Sequence, residues 1–237
     1  MRFSGIVRKV ARRLEKMYYA PIEVFVFHAV SDSFDEVVNE RADWTQTDEF
    51  KNRILKLKQR YRFITLEEAY HKLNTIWFRK RRYAVLTCDD GFLSVIDILP
   101  YLEMEKIPLT LFVNPKYLDG VSKRGGYAQT PKYITHEQLW QLNSPLLTVG
   151  MHGYTHDDVT KMSEQEFNDS VEKCQLILHS HPRYCPFFAY TWGKYTAMTQ
   201  QILKKKGIIP VLTDGEANYC YKNGIGRKPI DSYYWKE

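Results

Sequence analysis

An α/β fold with a parallel sheet is the class this sequence predicts, and three observations carry the prediction. Seven apolar, β-rich runs recur along 237 residues. Helical patterns with readable starts lie between them, so consecutive strands are joined by crossovers rather than hairpins and pair in parallel. Polar residues suited to chemistry fall where several of these runs end. The alternation by itself leaves open whether the sheet closes.

In chain order, residues 1–20 come first. Their apolar positions Ile6, Val7, Val10, Ala11, Leu14, Met17 and Tyr18 lie among lysines and arginines, which predicts a basic amphipathic helix that packs on the domain or rests on an anionic membrane face. Residues 21–237 are expected to form a single domain, an ordinary length for one core. Its expected strands are Val24–Ala29, Phe63–Thr65, Ala84–Cys88, Leu109–Val113, Leu146–Val149, Phe187–Trp192 and Ile208–Leu212. Thr65, Thr135 and Ser163, with Glu68, Gln138 and Glu166 three residues on, fit capping boxes that open helices. Lys204–Lys206 before Gly207 reads as a helix stop, with cations on the dipole and glycine in the left-handed position. Residues 114–134, rich in Lys, Gly and Tyr, read as a long connection beside the strand ends and a candidate substrate loop.

The composition narrows function. A hydrophobic fraction of 44% is enough for a core, and the net charge of +6 is concentrated in Arg2–Lys16 and Arg79–Arg82. These runs read as solvated basic surface. No zinc finger, RNA-binding aromatic motif or glycine-rich phosphate loop accompanies them, so nucleic acid is not an expected partner. Cys88, Cys174, Cys185 and Cys220 show no paired spacing and read as scattered thiols. No run of 18 apolar residues and no signal-peptide core are visible, so the expectation is a cytoplasmic protein, in peripheral contact with the inner membrane face at most. No obligate protein partner is evident.

The chemistry concentrates at two strand ends. Ala84–Cys88 runs into Asp89-Asp90-Gly91, and Leu146–Val149 runs toward His152 and His156. A carboxylate and two neutral imidazoles make a three-ligand set for one divalent metal that leaves positions for water and substrate; zinc is the default, with nickel, cobalt or iron also suited. The neighbouring Asp89 is then a candidate base.

Thr87-Cys-Asp-Asp-Gly91, His152-Gly-Tyr-Thr-His156 and Phe188-Ala-Tyr-Thr-Trp-Gly193 resemble the three leading motifs of the polysaccharide deacetylases, carbohydrate esterase family 4, and Phe27-His-Ala-Val-Ser31 resembles the strand that opens many members. The resemblance spans roughly residues 22 to 230 and implies a distorted (β/α)7 barrel. It also implies metal-dependent N-deacetylation of an N-acetylated amino-sugar glycan or glycan precursor, with an N-acetylated saccharide as the partner. By the same resemblance Asp90, His152 and His156 bind the metal, Asp89 is the base, and the Trp192 amide donates to the oxyanion. Tyr190 and Trp192 are either core or a sugar-stacking wall, and His28 is either a core histidine or substrate-facing. The third-motif arginine found in many members is replaced here by Phe188 and Ala189, and Arg227-Lys-Pro-Ile230 resembles the Pro-Arg-x-x-Ile/Val element of the branch that also carries Phe-Ala-Tyr-Pro, which implies that Arg227 is the candidate to hold Asp89. Thr191 stands where Pro is usual and Cys88 where Phe is usual. No histidine follows the last strand, so the general acid has no residue assigned, and a carbohydrate-binding domain without full catalytic competence is the rival reading. His71, His136, His179 and His181 are expected at the surface.

Overall fold

The computed structural model describes residues 20–32, 44–75, 81–122 and 132–230. Residues 1–19 of the expected amphipathic helix therefore lie outside the described residues, as do residues 123–131 of the long connection.

The strands are β1 (Ile22–Phe27), β2 (Ala29–Val30), β3 (Trp44–Thr45), β4 (Arg62–Phe63), β5 (Tyr83–Cys88), β6 (Leu109–Val113), β7 (Leu147–Met151), β8 (Tyr184–Ala189), β9 (Ile209–Leu212), β10 (Ile225–Gly226) and β11 (Lys228–Pro229). The main sheet runs β10-β9-β8-β7-β6-β5-β1-β11, parallel throughout. β10 and β11 are two halves of one segment separated only by Arg227. The first half pairs with β9 and the second with β1, so residues 225–229 close the sheet into a barrel of seven spokes. The helices are α1 (Thr47–Arg60), α2 (Leu66–Asn74), α3 (Val95–Met104), α4 (His136–Gln141), α5 (Glu164–Leu178) and α6 (Ala197–Lys205). Thr135 and Ser163 form reciprocal capping boxes, and the Thr65 hydroxyl accepts from Glu68 N–H. α6 ends as expected, with Gly207 at φ +68°.

Strand periodicity sorts the core into two layers. Val24, Val85, Phe112, Phe187 and Val211 fill the barrel, whereas Phe25, Leu86, Leu111, Val149 and Phe188 face the helices. Gly150 exists for this interior: a Cβ there would lie 2.6 Å from the Phe112 ring. The barrel is distorted between β7 and β8. Tyr184 pairs with Val149 and Phe188 with Met151, so β8 advances four residues while β7 advances two, around Pro186, which has no N–H to give a ladder.

Two expectations are corrected. Trp192 is not on a strand: β8 ends at Ala189, and Thr191–Gly193 form a 3-10 turn. His181 is not at the surface, unlike the exposed His71, His136 and His179. It is buried between the Leu139 carbonyl, 3.0 Å from Nε2, and the Arg183 N–H, which donates to Nδ1 at 3.1 Å. Burial holds this imidazole below its usual range, in the neutral form these two bonds require.

Candidate metal and catalytic centre

Because every barrel strand runs the same way, the carboxyl ends of β1, β5, β6, β7, β8 and β9 meet on one rim. Asp89 and Asp90 leave β5 there, His152 leaves β7, and Arg227 lies in the closing segment. All are buried, as is His156.

Asp90 Oδ1 lies 3.1 Å from His156 Nε2 and 3.4 Å from His152 Nε2. One ligand atom from each of the three residues falls within 4.8 Å of the others. His152 Nδ1 is 2.9 Å from the Ala189 carbonyl. A carbonyl only accepts, so Nδ1 carries a proton and Nε2 is the ring atom that faces Asp90. The donor set, one hard oxygen and two imidazole nitrogens at coordinating separation, fits a divalent cation.

Asp89 is held differently. Arg227, wholly buried, forks onto it: NH1 donates to Oδ1 at 2.7 Å and NH2 to Oδ2 at 2.8 Å. The remaining donors of the guanidinium reach the hydroxyls of Thr87 and Thr213 and the Leu212 carbonyl, and its face lies over the Phe112 ring. Burial pushes the Asp89 carboxyl up, but Arg227 first, then His152 and His28, pull it down, and the net position is below the usual aspartate range. Cys88 next to it is pushed well up by burial and by both aspartates, and its Sγ donates to the His28 carbonyl.

Strained backbone marks the same place. The four non-glycine residues at positive φ among the described residues are Asp90, Lys106, His156 and Trp192, three of them at this centre. Each such residue costs on the order of 1–3 kcal/mol and persists only where its surroundings fix it. The Trp192 turn is fixed by Thr191, whose hydroxyl donates to the Asp157 carbonyl at 2.6 Å, and by the Lys194–Asp158 ion pair. The threonine that stands where Pro is usual thus anchors this turn to the histidine loop.

Among the sequence candidates, Asp89, Asp90, His152, His156 and Arg227 converge. His28 follows β1 on the same rim, half-buried. Trp192 is 64% exposed and contacts the His156 ring. Tyr190 is 1% exposed and belongs to the core, which decides against it as a sugar wall. Its ring instead backs Tyr195, which is 41% exposed. Sequence reasoning missed Thr87 and Thr213 as partners of Arg227, and Asn114, whose Nδ2 donates to the carbonyls of His152 and Gly153. Asn114 directly follows β6 on the rim, and that position was the available signal.

Comparison with known proteins agrees with this fold. A sequence profile described as polysaccharide deacetylase matches residues 79–211. No curated protein gives a significant match. Among solved structures, IcaB from Ammonifex degensii overlays with a TM-score of 0.73 at 25% identity, covering 89% of this chain and 91% of that one. The Streptococcus pyogenes deacetylase PplD, in complex with acetate, overlays at 0.71 and 20% identity, covering 89% and 92%. A de-N-acetylase from Aggregatibacter actinomycetemcomitans overlays at 0.66 and 15% identity, covering 89% and 96%. The last two speak for the fold alone. With the profile spanning more than half of its residues, the chain belongs to the polysaccharide deacetylase family.

Proposed function

We propose that the protein is a metal-dependent deacetylase that hydrolyses the N-acetyl group of an amino-sugar glycan or glycan precursor. The observation that carries the reading is the junction of two devices on one rim: the Asp90–His152–His156 ligand set, and a carboxylate, Asp89, 3.9 Å from His152 Nε2 and clamped by Arg227. A divalent cation held by Asp90 and the two Nε2 atoms, zinc by default, would polarise the acetamide carbonyl and acidify a water. Asp89 accepts the proton of the attacking water. The Trp192 N–H, on its left-handed turn, donates to the developing oxyanion. The exposed Trp192 indole offers its face to the apolar side of a pyranose ring.

The leaving amine needs a proton, and His28 is the group we assign to supply it. It follows β1 and lies beside β5 on the rim, half-buried. With an intact Asp89–Arg227 fork, a binding-only domain is the weaker reading. The proposal keeps the protein in the cytoplasm, in peripheral contact with the inner membrane face at most. The described cysteines are all free thiols, the state such a compartment maintains.

Acetate release tests the activity. The metal-loaded protein should release acetate from N-acetylglucosamine oligosaccharides, and release from O-acetylated sugars alone would overturn the N-deacetylase assignment. Arg227 carries a separate expectation. With the guanidinium present, Asp89 stays ionised, and so competent as a base, down to acidic pH. In Arg227→Ala, burial and the like charge of Asp90 raise its pKa, so the acid limb of the pH–rate profile moves to higher pH and the rate falls. Arg227→Lys keeps the charge but loses the fork, and should shift less. An unchanged profile in Arg227→Ala would remove Arg227 from this role.

A further inference from the structure

We propose that Asn114, with Tyr117 three residues on, is the positioning residue of the metal centre and sets how tightly it binds a divalent cation; the inference rests on the metal reading of Asp90, His152 and His156. β6 and β7 pair Val113 with Met151, which brings Asn114 beside His152. The Asn114 side chain is 1% exposed, and its amide nitrogen donates to the carbonyls of His152 and, at 2.9 Å, Gly153. Lys116 N–H donates to the Tyr154 carbonyl at 3.2 Å, and the Tyr117 hydroxyl donates to the Thr155 carbonyl at 2.9 Å. Four consecutive carbonyls, from one imidazole ligand to the residue before the other, are therefore held from within the short stretch 114–117. The His152 N–H returns a bond to the Val113 carbonyl at 3.0 Å.

This pinning is needed because the loop does not hold its own shape. Gly153 and His156 both sit at positive φ, at +75° and +58°. A loop with left-handed residues and no internal ladder keeps two imidazoles in register only if its carbonyls are tied from outside. Asparagine is suited to this because one planar NH2 supplies two N–H bonds, whereas Asp or Leu at the same size supplies none.

The same segment reaches the third ligand. The Tyr117 ring stacks on Tyr133 at 5.0 Å, and Tyr133 stacks on Phe92 at 5.3 Å. Phe92 follows Asp90 by two residues, in a stretch whose Gly91 carbonyl accepts from Ile134 N–H and whose Leu93 N–H donates to the Lys132 carbonyl. Asn114 and Tyr117 thus join the histidine loop to the aspartate turn. Changes to groups that orient metal ligands typically weaken metal binding about 10- to 100-fold.

The test is the dissociation constant for Zn2+ and Co2+, measured by chelator competition on the full chain, with thermal unfolding of the metal-free protein in parallel. Asn114→Leu and Asn114→Asp should weaken binding about 10-fold or more. Tyr117→Phe should weaken it by a smaller factor. In the Asn114 variants the Co2+ absorption bands should shift, and acetate release should recover part of its rate as metal is raised. A wild-type constant in folded Asn114→Leu, or a lower metal-free melting temperature with no change in the constant, overturns the inference in favour of a purely structural residue. If Asn114→Leu does not fold, Tyr117→Phe decides, since it removes one hydroxyl, and an unchanged constant there overturns it equally. A wild-type protein that binds neither ion overturns the metal reading itself, an outcome distinct from a tight wild type matched by tight variants.

Discussion

Asp89→Asn should lose nearly all turnover while still binding metal. The amide is almost isosteric with the carboxylate but cannot take a proton, and a missing general base costs on the order of 10²–10⁴ in rate. The geometry separates this loss from loss of the metal. Asp89 is forked onto Arg227, while the ligand set converges on Asp90 Oδ1. The variant also turns one N–H of its amide toward the guanidinium, so one arm of the fork breaks and a buried cation is left partly uncompensated. Some loss of stability accompanies the loss of rate, and thermal unfolding measured beside acetate release keeps the two apart. Full acetate release by a folded Asp89→Asn protein would exclude Asp89 as the base.

Asp90→Ala should fail in the opposite way, by losing the metal. Asp90 offers the single oxygen of the candidate set and its charge, and without it only two imidazoles remain. Added Zn2+ should raise the melting temperature of the wild type, because a ligand that binds only the folded state stabilises it by about 2.7 kcal/mol at 100 times its dissociation constant. In Asp90→Ala that rise should vanish together with the bound metal. A variant that keeps stoichiometric metal and a wild-type thermal shift would remove Asp90 from the ligand set.

What the sequence made legible was what depends on local pattern. The spokes β5, β6, β7 and β9 stand out as apolar runs. Asp90 and His152 are visible because they interrupt or end such runs on the same side of the barrel. Other features were hidden, some by an unpromising local sequence and some because their cause lies far along the chain. β8 starts near a polar His-Pro-Arg stretch and contains Pro186, so its first half does not read as a strand. The closing segment, Asn223-Gly-Ile-Gly-Arg-Lys-Pro229, reads as a loop, and only pairing with β9 on one side and β1 on the other makes it a spoke. His181 and Asn114 are defined by carbonyls 42 and 38 residues away. Local pattern does not decide between core and sugar wall for Tyr190 and Trp192, because the chain turns at Thr191. A left-handed tryptophan there throws its indole outward while Tyr190 stays in the core. Arg227 was reachable only through the resemblance of Arg227-Lys-Pro-Ile230 to a family element, and its bonds to Thr87 and Thr213 follow only from barrel closure.

Metal content and acetate release measured on the same sample test the central claim most directly. The purified chain should be stripped with chelator, assayed on N-acetylglucosamine oligosaccharides, titrated with Zn2+ or Co2+, and assayed again. The account predicts no release from the stripped protein, recovery that saturates at one metal per chain, and no recovery in Asp90→Ala. Undiminished acetate release from metal-free protein, or recovery by Asp90→Ala equal to that of the wild type, would contradict it.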